Sequence, residues 1–136
     1  MATFVDTLFV VGFTNDHDQY HEKALELAVS FERQPLITTD AVLLEIGNTL
    51  SGRFRQQAID VINGFFAADE VEIIRLDEAL FEKAFDLYKR HSDKSWGLVD
   101  CISFIVMKER GIDSALTCDR HFVQAGFRAL MLDPIN

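Results

Sequence analysis

The sequence predicts an α/β fold, a three-layer sandwich with a mostly parallel sheet of about five strands flanked by helices. Short apolar, β-branched runs alternate with segments of helical spacing along the whole chain. At 136 residues, 49% of them apolar, the chain is long enough and hydrophobic enough for one core. No repeat, low-complexity tract or linker interrupts it, and Pro occurs only at positions 35 and 134.

Residues 3–6 form the first strand, Thr3-Phe4-Val5-Asp6. Residues 8–12 are apolar but match no single element. Residues 16–31 have helical spacing, with Ala24, Leu27, Ala28 and Phe31 on one stripe. Pro35 precedes a short strand, Leu36-Ile37-Thr38. Thr39 or Asp40 then caps a helix running to Gly52, a residue suited to the position after a helix end. Residues 53–68 read as another helix, weakened at Gly64.

Residues 71–76 form the third strand. Asp77 caps a helix to about His91, with Leu80, Phe81, Ala84, Leu87 and Tyr88 on its stripe. The polar loop 92–95 leads to a helix over 98–110, which Gly111 stops. A strand over 114–118, a short helical turn to Gly126 and a last strand over 127–132 complete the chain.

The net charge of −9 weighs against non-specific binding to nucleic acid or an anionic membrane, although divalent cations would offset part of it locally. No run of about 18 apolar residues is present, so no membrane-spanning helix is expected. The first residues lack a basic region and already read as a core strand, so no signal peptide is expected. Cys101 and Cys118 are isolated in apolar runs and read as buried thiols. A cytoplasmic location follows from that usage.

Four acids stand out. Asp6 and Asp119 end strand-like runs; Glu45 interrupts Val42-Leu43-Leu44-Glu45-Ile46, and Asp100 interrupts Leu98-Val99-Asp100-Cys101-Ile102. A charge in apolar surroundings is costly unless something pairs it. No Lys or Arg adjoins Asp6, Glu45 or Asp100. Acids that converge without a cationic side chain call for a metal ion. Strand ends are also where open α/β sheets place their sites.

Each acid has a plainer explanation. Asp6 and Asp119 would serve as caps of the next element. Glu45 shares a helical face with Ala41 and Asn48, as on a solvated surface. Asp100 would gain about 0.3–1 kcal/mol from the dipole of its helix, which is small against desolvating a carboxylate.

Other residues invite weaker readings. His17 and His21 have zinc-pair spacing but no third ligand. Trp96 is assigned to packing rather than base stacking, and the twelve Phe residues to the core. Arg120 and His121 are placed to hold a phosphate, or Arg120 to pair with Asp119. Arg53, Arg55, Lys89 and Arg90 are ordinary exposed basic residues that would also suit an RNA backbone.

Phe4-Val5-Asp6-Thr7, Thr39-Asp40 through Glu45, Trp96-Gly97 through Phe104, and Leu116-Thr117-Cys118-Asp119-Arg120-His121-Phe122, in that order, resemble the PIN-domain ribonucleases. The branch they resemble is that of the small VapBC-type toxins. The resemblance spans essentially the whole chain and implies a single PIN-like domain over residues 1–136. It implies a metal site at Asp6, Glu45, Asp100 and Asp119 holding two Mg²⁺ or Mn²⁺ ions. It further implies substrate contacts from Arg120 and Lys94, and supporting positions at Asn48, Asp93 and Thr117. Related sequences often carry Ser or Thr three residues before the third acid, where this chain has Gly97. An RNA substrate, a cognate antitoxin and a homodimer follow as expected partners.

Two rivals remain at this stage. A phospho-receiver module would use Asp6 and Asp77, but it requires an acidic neighbour for Asp6 and a Lys ending the last strand, and both are missing. An inactive PIN-like binding domain would not need all four acids.

Overall fold

The computed structural model describes residues 1–134; the last two positions of the expected 1–136 domain lie outside them. Five strands make one sheet: β1 (Thr3–Val5), β2 (Leu36–Thr39), β3 (Val71–Ile74), β4 (Ser114–Leu116) and β5 (Arg128–Ala129). Their spatial order is β3-β2-β1-β4-β5, and every pairing is parallel. Phe4 lies opposite Ile37 on one side and Ala115 on the other. All three residues of β1 are buried, as a parallel strand covered on both faces must be.

Seven helices flank the sheet: α1 (Thr7–Thr14), α2 (His21–Ser30), α3 (Asp40–Thr49), α4 (Arg55–Ala67), α5 (Glu78–Arg90), α6 (Leu98–Glu109) and α7 (Arg120–Gln124). α1 packs on α2 and α3, and α5 lies along α6.

The strand order has a consequence for the site. The chain runs outward from β1 through β2 to β3, then crosses to β4 and β5 on the other side. The order reverses between β1 and β4, and open α/β sheets place their ligand sites at such a reversal, beyond the carboxyl ends of the strands. Asp6 follows β1 directly, and Asp119 lies three residues past β4.

The core fixes the elements that carry the other two acids. Phe4, Val5, Ile37, Val42, Ile46, Met107, Leu116 and Phe122 are sealed from solvent. Trp96 sets an edge against Phe104 at 5.1 Å, and Phe104 against Phe122 at 5.0 Å. Each such pair adds about 0.5–1.5 kcal/mol to burial. The ring column locks α6 to α7, so Asp100 and Asp119 are held on two mutually braced helices. Trp96 is thus a packing residue, and its Nε1–H donates to Gln124 Oε1 at 3.0 Å.

Several expected boundaries move, each for a local reason. Residues 8–12 belong to α1, a helix apolar on most sides, which hides its period. The helix expected over 16–31 starts at His21. Asn15 and Asp18 accept the backbone N–H groups of His17 and Tyr20, an Asx-type bonding that competes with helix. The helix expected to reach Gly52 ends at Thr49, and the next spans Arg55–Ala67 rather than 53–68.

β3 stops at Ile74 because the Leu76 N–H turns to Asp40 Oδ1. β4 stops at Leu116 rather than 118, because the Asp119 N–H goes to the Thr117 hydroxyl. The strand expected over 127–132 is only Arg128–Ala129. Leu130–Leu132 is a 3₁₀ turn in which the Met131 N–H bonds the Thr117 carbonyl. The Phe residues are not all core: Phe13, Phe66, Phe81 and Phe85 are exposed.

Candidate active site

Asp6 occupies the residue between β1 and α1 and is only 3% exposed. It stands in the N-cap position, yet its side chain caps nothing. Instead Thr117 Oγ1 donates to Asp6 Oδ2 at 2.7 Å. Burial pushes its carboxyl up to about 7; the Asp100 and Glu45 charges push the same way, against the Thr117 hydrogen bond. The same Thr117 oxygen accepts the Asp119 N–H at 3.0 Å, so one hydroxyl ties the end of β1 to the end of β4.

Glu45 comes from α3, a helix started by Thr39, whose Oγ1 accepts the Val42 N–H. Glu45 Oε1 accepts from the Thr7 hydroxyl. Asp100 is the third residue of α6. Its Oδ2 accepts the Gly97 N–H and His121 Nδ1, each at 3.0 Å. Asp100 therefore does cap its own helix, and it also joins the cluster. Burial raises its pKa, against these two bonds, and the Asp119 charge adds to the rise. Asp119 is the N-cap of α7, its Oδ1 accepting the His121 N–H at 2.9 Å.

The four acids form a continuous line. Asp6 feels the charges of Glu45 and Asp100, and Asp100 feels that of Asp119. Among the described residues no Lys or Arg pairs with any of them; the lysines and arginines that form ion pairs do so elsewhere. The hydrogen bonds to Glu45, Asp100 and Asp119 fall on one oxygen each: Oε1, Oδ2 and Oδ1. The other oxygen of each is not sealed away from solvent: Thr14 Oγ1 is the one fully buried side-chain polar atom without a partner among the described residues.

The remaining expected positions spread out. Thr117 is at the centre, as described. Asn48 is exposed, one turn beyond Glu45. Asp93 and Lys94 pair with each other at 3.5 Å on an exposed loop. Arg120 is exposed at the start of α7 and makes no ion pair with Asp119. His17 is exposed, whereas His21 Nδ1 donates to the Gly12 carbonyl at 2.8 Å, so the two do not form a metal pair. Cys101 and Cys118 are free thiols that burial pushes up to about 11.

The sequence reading missed two contributors and gave a third, His121, a different role. Thr7 supports Glu45, and its place directly after Asp6 was the available signal. The Gly97 N–H needs no side chain and leaves no trace in the sequence. His121 turns inward onto Asp100 and Asp119, which its neighbour Arg120 does not. An apolar cleft of about 310 Å³ lined by Phe9, Phe13, Phe31, Val61 and Phe65 lies apart, with none of the four acids on its walls.

The family model described as PIN domain matches residues 3–128. The chain belongs to the PIN-domain family. It is 31% identical over 125 residues to the "23S rRNA-specific endonuclease VapC20" of Mycobacterium tuberculosis, in strains CDC 1551 / Oshkosh and H37Rv. That alignment covers 91% of this chain and 94% of the relative. The crystal structure of Mycobacterium tuberculosis VapC20, described as a sarcin–ricin loop cleaving toxin, superposes with a TM-score of 0.84 at 29% identity. The match covers 93% of this chain and 96% of that one. The PIN fold therefore extends over nearly all of both chains.

The donor set of this PIN domain fits a divalent cation. Asp6 is buried and short of positive charge, and the open oxygens of the other three acids are hard ligands. Mg²⁺ and Mn²⁺ prefer such oxygens and tolerate a site that leaves room for water.

Proposed function

We propose that this PIN domain is a divalent-metal-dependent endoribonuclease, the toxin of a VapBC-type pair, cleaving structured RNA in the cytoplasm. The observation that carries the reading is the line of four carboxylates at the sheet's switch point without a cationic side chain. Asp6, Glu45, Asp100 and Asp119 would hold the cation, with Mg²⁺ or Mn²⁺ bound as two ions. Bound ions of this kind supply an activated water and neutralise charge building on a phosphodiester.

The chain's own groups prepare that chemistry. Thr117 directs its hydroxyl proton at Asp6 Oδ2, because its lone pair already takes the Asp119 N–H. Thr7 and Gly97 fix Glu45 Oε1 and Asp100 Oδ2, which leaves their second oxygens free for a cation. A carboxyl held near 7 gives up its proton readily at neutral pH once a cation neutralises its surroundings. Arg120 and Lys94, exposed at the rim, would meet the RNA backbone. By analogy with the toxin family, a cognate antitoxin would bind this chain.

Mixing purified protein with structured RNAs, a sarcin–ricin loop hairpin of 23S rRNA among them, should give discrete cleavage with Mg²⁺ or Mn²⁺ and none with EDTA. Full-rate cleavage in EDTA would sink the metal reading. The same preparation should sediment as a homodimer at tens of micromolar; a 15.5 kDa species alone would remove the dimer.

Arg120→Ala should weaken cleavage while leaving stability within about 0.5 kcal/mol, as for an exposed side chain without an ion pair. If Arg120 contacts a phosphate, the slope of log affinity against log salt should fall by about one. An unchanged rate and slope would make Arg120 an ordinary surface residue.

A further inference from the structure

His121 is the one imidazole in the acid line. Its Nδ1 lies 3.0 Å from Asp100 Oδ2 and 3.3 Å from Asp119 Oδ1. Its Nε2 lies 3.1 Å from the Ser95 hydroxyl. Carboxylates only accept, so Nδ1 carries a proton, and in the neutral ring Nε2 takes the Ser95 O–H. Both ring nitrogens are then engaged, and neither offers a lone pair to a cation.

The three side chains are close enough to chelate an ion together, with ligand atoms within 4.8 Å of one another. The tautomer speaks against chelation by His121. What the ring does touch is one oxygen of each acid, on the N-terminal turns of two different helices. Asp100 Oδ1 and Asp119 Oδ2 are left unbonded among the described residues. The backbone N–H of the same residue holds Asp119 Oδ1 at 2.9 Å, so His121 grips that acid twice.

We infer that His121 is a positioning residue: a neutral clamp, set by Ser95, that holds Asp100 and Asp119 at a fixed separation and aims their free oxygens at a divalent cation. The assignment rests on the metal-dependent reading above. It differs from ligation by His121, and it gives the loop before α6 a part in the site through Ser95. Removing a group that orients metal ligands typically costs 10–100-fold in metal affinity.

Substitution separates the two roles, because the Asn amide nitrogen stands roughly where Nδ1 stands and carries protons. Mn²⁺ affinity of EDTA-stripped protein, free of RNA, is measured by calorimetry for wild type, His121→Ala, His121→Asn and Ser95→Ala. The expected result is a Kd about 10–100-fold weaker for His121→Ala, most of the affinity kept in His121→Asn, and a smaller loss in Ser95→Ala. Histidine ¹⁵N spectra of the wild type should show the Nδ1–H tautomer both without metal and with Mg²⁺.

His121→Asn falling as far as His121→Ala, or a wild-type ring protonated on Nε2, would overturn the clamp. So would His121→Ala binding Mn²⁺ as tightly as wild type. If His121→Ala does not fold, His121→Asn, Ser95→Ala and the wild-type tautomer decide. A wild type that binds no Mn²⁺ at all would defeat the metal reading itself, and the clamp with it.

Discussion

Asp100→Asn should reduce RNA cleavage on the order of a thousandfold, the equivalent of several kcal/mol of transition-state stabilisation. In EDTA the same variant should melt at the wild-type temperature or above it. Burial already raises the Asp100 pKa, so the anion is disfavoured where it sits. Asn removes that charge, and its carbonyl can still accept the Gly97 N–H and the His121 ring proton. Mg²⁺ should stabilise the wild type by about 2.7 kcal/mol at a hundred times its Kd, and the variant by less. Melting curves with EDTA and with Mg²⁺, beside a cleavage assay, test all three parts. A variant that cleaves normally, or that melts far below wild type in EDTA with the same Mg²⁺ response, would return Asp100 to a helix cap alone.

Asp6→Asn should change how stability depends on pH. The Asp6 carboxyl titrates at about 7 in the fold, against 3.8 for the free group. Between those values the folded state holds a proton that the unfolded state has lost, so wild-type stability falls as pH rises through that window. The full effect is up to about 4 kcal/mol above pH 7. Asn carries no such proton and still accepts from Thr117. Without metal, the variant should match wild type near pH 4 and exceed it by a few kcal/mol at pH 7.5. Asp6 and Asp100 titrate as neighbours, so the midpoint belongs to the pair. Urea unfolding across pH 4–8 in EDTA checks this, and a stability difference independent of pH would refute it. Cleavage should be lost in this variant as well.

The sequence by itself determined the fold class, because alternating element types dictate a parallel sheet with helices on both faces. It also marked Asp6, Glu45, Asp100 and Asp119, because an acid inside an apolar run stands out without any coordinates. Long elements with clear periodicity, such as α5 and α6, were legible to within a residue or two. Short elements were not. α1 is apolar on most sides and gives no period, and β5 is an edge strand of two residues whose chain turns away to bond the Thr117 carbonyl. Only the tertiary structure decided what converges. Strand order brings Asp6 and Asp119, 113 positions apart, to one end of the sheet, and the ring column from Trp96 to Phe122 sets Asp100 beside them. It also decided that His121 faces the acids while Arg120 faces solvent. Adjacent residues at a helix start point in different directions, and which one turns inward depends on how α7 is docked against α6.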